Sequence, residues 1–141
     1  MTSGNVLVDD LAGRLAAAHR REWVDVQVVD PAEARAYAEL HGYGPDVAHV
    51  PPGYGAALTM RAVLLVLHDQ ELALPFDRNV HAAQDLEWMR TMRPGETLRT
   101  VASVTEIKVR ERAVFFDVVT RTDGGDGPVL RGVATQAVRH A

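Results

Sequence analysis

Apolar positions recur at helical spacing through residues 6–20, at Val8, Leu11, Leu15 and Ala18, which predicts an amphipathic helix near the start of the chain. The period then shortens. Trp23-Val24-Asp25-Val26-Gln27-Val28-Val29 alternates and is rich in β-branched residues, so a strand is expected there. Asp30-Pro31-Ala32-Glu33 carries an N-cap residue, a proline at the first helical position and a glutamate three residues past the cap. That signature opens a helix running to about Leu40, with Ala34, Tyr37 and Ala38 on one face. Residues 41–53 are rich in Gly and Pro and read as a loop.

Pro51-Pro52-Gly53-Tyr54-Gly55 leads straight into Ala56-Ala57-Leu58-Thr59-Met60-Arg61-Ala62-Val63-Leu64-Leu65-Val66-Leu67. Two prolines and two glycines are costly inside a helix, so they mark its entrance, and a helix from about Gly55 to Asp69 is expected. Only Thr59 and Arg61 interrupt its apolar surface, which predicts burial on all sides. On that reading Leu64→Asp would abolish soluble folding. After Leu74-Pro75 the pattern turns to strands at 79–90, 97–109, 113–122 and 129–139, the last two joined by the hairpin signal Asp123-Gly124-Gly125-Asp126-Gly127. One strand, two helices and four antiparallel strands make an α+β fold, with a curved sheet able to enclose a helix.

A length of 141 residues suits a single domain spanning 1–141, and an apolar fraction of 47% argues against disorder. A net charge of −4 gives no electrostatic footprint for nucleic acid or an anionic membrane. With no cysteine there are no disulfides, thiolate nucleophiles or cysteine–zinc sites, which fits a cytoplasmic protein. The start of the chain lacks the basic region of a secretory signal, and the longest apolar run is too short to span a bilayer. No pair of histidines has ligand spacing with a carboxylate, so no metal is expected.

The entrance of the apolar helix gathers backbone N–H groups at the positive end of a dipole, suited to an anion or a polarised carbonyl. Tyr54 and the amides around Gly53 and Gly55 are the candidates for that contact. Asp46 and His49 stand three residues apart in the preceding loop. One reading makes them an acid/base pair, the carboxylate holding the imidazole; the other makes Asp46 a turn cap after Pro45 and His49 a loop residue. His81, at the head of a strand, suits a structural hydrogen bond or a substrate contact.

Three strings together resemble a known family. They are Val29-Asp30-Pro31-Ala32-Glu33 leading to Tyr37-Ala38-Glu39-Leu40-His41-Gly42; Pro51-Pro52-Gly53-Tyr54 entering the apolar helix; and Val80-His81-Ala82-Ala83-Gln84-Asp85-Leu86-Glu87-Trp88 followed by Met92-Arg93-Pro94-Gly95-Glu96-Thr97-Leu98. Their order and spacing are similar to the hotdog-fold MaoC-like dehydratases and enoyl-thioester hydratases, and within them to the single-hotdog, FAS1-like dehydratase branch. The resemblance implies an antiparallel sheet wrapped around one long buried helix. It also implies hydration of 2-enoyl or dehydration of 3-hydroxyacyl thioesters carried by CoA or ACP in fatty-acid or polyketide metabolism, without a cofactor. Pairing as a homodimer, or as a heterodimer with another hotdog subunit, follows from it too.

The family's catalytic Gly-Asp-x-Asn-Pro-x-His motif is not intact. Gly42 is followed by Tyr43-Gly44-Pro45-Asp46-Val47-Ala48-His49, with Tyr43 where the motif has Asp. The resemblance therefore does not carry its catalytic roles over cleanly: Asp46 and His49 do not match the motif but, three residues apart, can still share a site and stand as the catalytic candidates, with Tyr43, Gly53, Tyr54, Gly55 and His81 as substrate contacts. It leaves two other readings open: a non-catalytic, acyl-binding partner subunit, or a hotdog thioesterase or tailoring enzyme.

Overall fold

The computed structural model describes residues 3–44 and 50–140. The elements run α1 (Ser3–Ala17), β1 (Trp23–Val28), α2 (Pro31–Leu40), α3 (Pro52–Leu67), a short 3₁₀ turn (Phe76–Arg78), β2 (Asn79–Trp88), β3 (Thr97–Val109), β4 (Ala113–Gly124) and β5 (Gly127–Arg139). The five strands form one sheet in the order β1-β3-β4-β5-β2, antiparallel throughout. Gly124 and Gly127 face each other across the β4–β5 hairpin, where the glycine-rich signal predicts a turn. Among the described residues no helix is long and apolar enough to cross a membrane.

α3 packs against β1, β3 and β4. Its buried side chains Ala62, Val63, Val66 and Leu67 join Leu11 and Leu15 of α1, and Val104, Phe116 and Val118 of the sheet, in the main core. α3 begins three residues earlier than its composition suggests, because Pro51 takes the N-cap and Pro52 the first turn. At those positions a missing N–H costs nothing.

The sheet does not surround α3. Val63 and Val66 are 2% and 0% exposed, while Leu64 and Leu65 are 40% and 43% exposed. The expectation of burial on every side, and with it the expected lethality of Leu64→Asp, is corrected here. One five-stranded sheet curves around only part of a helix, and the remaining stripe of Arg61, Leu64, Leu65 and His68 stays open.

The edge strands show how tertiary position overrides pattern. In β1 the polar side chains turn inward: Gln27 donates from Nε2 to Leu58 O at 2.9 Å and accepts from Arg61 Nη1 at 3.3 Å. Val24, Val26 and Val28 face out and are exposed. β2 pairs only with β5, and every residue between its two ends is exposed.

Two polar clusters brace the ends of the fold. Asp69, just past α3, accepts from Arg21 Nη2 at 2.6 Å, Trp23 Nε1 at 2.9 Å, and the backbone of Glu71 and Leu72. The Arg21 guanidinium lies 4.6 Å from the centre of the Trp23 ring. At the opposite end Arg90 reaches Glu96 Oε2 at 2.9 Å and Asp126 Oδ1 at 2.7 Å. It thereby pins the segment after β2 to the start of β3 and the β4–β5 hairpin.

Candidate functional site

The end of α2 and the start of α3 define the site. α2 opens on Asp30, whose Oδ1 accepts from Ala32 N at 2.8 Å and Glu33 N at 3.4 Å. It closes on Gly42 in the left-handed region, φ +79°, with Gly42 N–H donated to Glu39 O and Tyr43 N–H to Ala38 O. That paired closure turns the chain sharply out of the helix and favours glycine at position 42. The chain is anchored again at Val50, whose N–H donates to Met92 O at 3.2 Å. The chain is thus held at Tyr43, before residues 45–49, and at Val50, directly after them. Asp46 and His49 themselves lie outside the described residues.

In the first turn of α3, Pro51 and Pro52 carry no N–H, and Gly55 donates to Pro51 O at 3.1 Å. Gly53 and Tyr54 are the remaining donors of that turn, at the positive end of the helix and without a side-chain cap. The Tyr54 hydroxyl donates to Glu33 Oε2 at 3.0 Å. Burial, reinforced by the Glu33 carboxylate, pushes that phenol up to about 12, so it keeps its proton across the physiological range. Tyr37 packs on His41, ring centres 4.2 Å apart, and on Tyr54 at 5.7 Å. Glu33, Tyr37 and His41 thus form one stripe of α2 facing the mouth, at a spacing of four residues. Neither Glu33 nor His41 stands out by composition; the signal that would have found the stripe was this recurrence within the already predicted helix.

Both glycines at the mouth serve close packing. A Cβ on Gly53 would fall on the Tyr37 hydroxyl, and one on Gly55 would lie 2.7 Å from Trp88 Cη2 and 2.8 Å from Met92 Sδ. Gly55 is buried with its N–H engaged, so a side chain there disturbs the core before it meets a ligand. Gly55→Val is expected to lower stability by about 1–3 kcal/mol, read as a reduced denaturation midpoint. An unchanged midpoint would show the contact to be slack.

Tyr43 is half-exposed beside the anchored turn. His81 is not brought to the mouth. It sits seven residues from Trp88 along β2, about 20 Å at the rise of an extended strand. Its Nδ1 pairs with Nε2 of Gln136 at 2.9 Å, and Gln136 Oε1 accepts from Asn79 at 3.1 Å. Gln136 is fully buried, and the His81 ring gives its side-chain amide a partner.

Residues 24–127 match the family described as the FAS1-like, dehydratase domain region. A UPF0336 protein of Saccharopolyspora erythraea is 34% identical over 113 residues, covering 78% of this chain and 67% of that protein. Of three further curated relatives, 33% identical each, the matched stretch spans only about half the length, 47–52%. Among solved structures, HtdX of Mycobacterium tuberculosis superposes with a TM-score of 0.70 at 22% identity, over 84% of this chain and 51% of HtdX. The HadBC (3R-hydroxyacyl-ACP dehydratase) complex of the same organism gives 0.68 at 14% identity, over 82% of this chain and 93% of that one. These likenesses identify the sheet and its helix as a hotdog fold. The chain belongs to the FAS1-like dehydratase family.

Proposed function

We propose that this chain hydrates 2-enoyl thioesters and dehydrates 3-hydroxyacyl thioesters carried by CoA or ACP. The first turn of α3 carries this reading, because in a member of this family it presents two donors, and the sequence just before it holds a carboxylate and an imidazole. The thioester carbonyl accepts from the N–H groups of Gly53 and Tyr54, which stabilise the negative charge that develops as C2 loses its proton. Asp46 and His49 supply the base that takes the C2 proton and the acid that protonates the departing C3 hydroxyl. The C3–O bond breaks, water leaves and the C2=C3 double bond forms. The balance needs no oxidant, reductant or metal. Substrates carried by CoA or ACP suit a cytoplasmic reaction, with the chain as one hotdog domain of a dimer.

Hydration of crotonyl-CoA, followed by loss of the enoyl-thioester absorbance, tests the proposal. His49→Ala and Asp46→Asn are each expected to lower turnover on the order of 10²-fold, the scale of losing a general acid or base. Full activity in both variants would remove the pair from the mechanism. Release of free CoA instead of hydration would point to a thioesterase.

A second reading, the acyl-binding partner subunit, is favoured by β2. Its ten residues are hydrogen-bonded to the sheet on one side only and include no proline or lysine to blunt the edge. A second hotdog chain laid against β2 would satisfy that edge and approach the open stripe of α3. An isolated chain that is inert until another hotdog subunit is added would establish this role in place of the catalytic one.

A further inference from the structure

At the end of the fold away from the mouth of α3, α1, the turn after α3, the 3₁₀ turn and the end of β5 frame a small cavity of about 70 Å³. Val138 in its lining stands eight residues along β5 from Leu130, the partner of Trp88, about 26 Å at the rise of an extended strand. The lining joins the buried side chains of Leu11 and Val138 to three arginines, Arg14, Arg78 and Arg139. Arg14 is held in place: its Nε donates to Leu72 O at 2.7 Å and its Nη1 to Asp10 Oδ2 at 2.7 Å. Among the described residues no carboxylate lies within ion-pairing distance of Arg78 or Arg139, although the chain as a whole is acidic, with a net charge of −4. Three guanidinium charges against the one carboxylate of Asp10 leave two positive charges uncompensated at the cavity.

We propose that this cavity binds one phosphoryl group, at a site independent of the acyl-thioester reading above. Pockets for whole small molecules run to roughly 300–1,000 Å³, so a cavity of about 70 Å³ takes a small ion or a single group of a larger ligand. A phosphoryl dianion carries the two negative charges that the cavity lacks, and guanidinium forks grip its oxygens with paired N–H donors. A carboxylate cancels only one of the two charges. The wall is also set before any ligand arrives. Arg14 is clamped by Asp10 and the Leu72 carbonyl, and Ala73, in the same wall, is held in the left-handed region at φ +47° with its N–H bonded to Asp69 O. That conformation is costly for a residue with a Cβ and persists only where neighbours impose it. Less ordering is then left to oppose binding.

Titration calorimetry of the full chain with inorganic phosphate, at an ionic strength held constant with chloride, tests the site. Saturable binding is expected, and Arg78→Gln and Arg139→Gln should each weaken it about tenfold or more, the scale of losing a charge-assisted hydrogen bond. Each variant removes a side chain without an ion pair among the described residues, so its circular dichroism should match that of the parent. Acetate is expected to bind at least about tenfold more weakly than phosphate. Glycerol phosphate separates the two sources of the group. Binding as tight as that of phosphate assigns the phosphoryl group of an ester, binding of phosphate alone assigns the free ion, and either supports the site. Absence of saturable phosphate binding in the millimolar range overturns the proposal. So does phosphate binding that acetate matches, or that the folded Arg78→Gln and Arg139→Gln variants leave unchanged.

Discussion

Replacing Val66 by aspartate is expected to leave no folded protein. Val66 is completely buried in the main core, in a cluster of apolar side chains. An unpaired carboxylate in such a place costs on the order of 5 kcal/mol, comparable to the roughly 5–15 kcal/mol that holds a domain together. Circular dichroism and size-exclusion chromatography of Val66→Asp should show an unfolded or aggregated chain. Leu64→Asp, two residues earlier on the open stripe, should keep the native spectrum and melt near the parent. A folded Val66→Asp or an unfolded Leu64→Asp would mean that α3 is rotated from the orientation described. If a second subunit covers the stripe, Leu64→Asp weakens that association without unfolding the chain.

The second large effect is expected at Asp69. This carboxylate joins the end of α3 to the start of β1 through Arg21 and Trp23, and shapes the following turn through Glu71 and Leu72. Asp69→Ala removes all of these acceptor contacts and leaves the indole N–H without its partner. Because the Arg21 side is partly in water, the ion pair itself contributes little, and most of the loss comes from the hydrogen bonds, about 2–3 kcal/mol. Roughly 5–10 °C should be lost in Tm on that account.

The pH dependence has a definite sign. Hydrogen bonding from Arg21, foremost among several donors, holds the Asp69 carboxyl well below the usual carboxylate range. A depressed folded-state pKa contributes stability that is fully present above the unfolded value, near 4, and is lost as the pH falls below it. The parent should thus lose stability on acidification below about pH 4 more steeply than Asp69→Ala. Parallel acid profiles for the two proteins would show that the cluster contributes nothing to the acid limb.

Less of the site was legible than of the fold. The donor turn was readable because proline and glycine act locally: the prolines can only begin a helix, and the unpaired N–H groups follow from that position. The packing role of Gly55 was not, since it depends on Trp88 and Met92, more than thirty residues away and reached only when β2 closes the sheet. The same holds for His81, whose string resembles a family motif but whose imidazole is tied to Gln136 on a neighbouring strand. Tyr54 could be singled out by its place in the mouth; its bond to Glu33 joins two helices separated by a loop.

Periodicity, caps and turn residues by themselves determined the elements and their order. These signals act over a few residues: alternation in β1, the Asp30 cap of α2, the proline entrance of α3 and the glycine hairpin between β4 and β5 all survive into the fold. The tertiary structure alone decided which faces those elements hide. β1 turns its valines outward and its Asp25 and Gln27 toward α3, and α3 hides Val63 and Val66 while showing Leu64 and Leu65. The physical reason is that a hydrophobic residue records only a tendency to leave water, whereas its burial requires a partner surface. For α3 that surface is a single sheet, curved far enough to cover one side of the helix and no further.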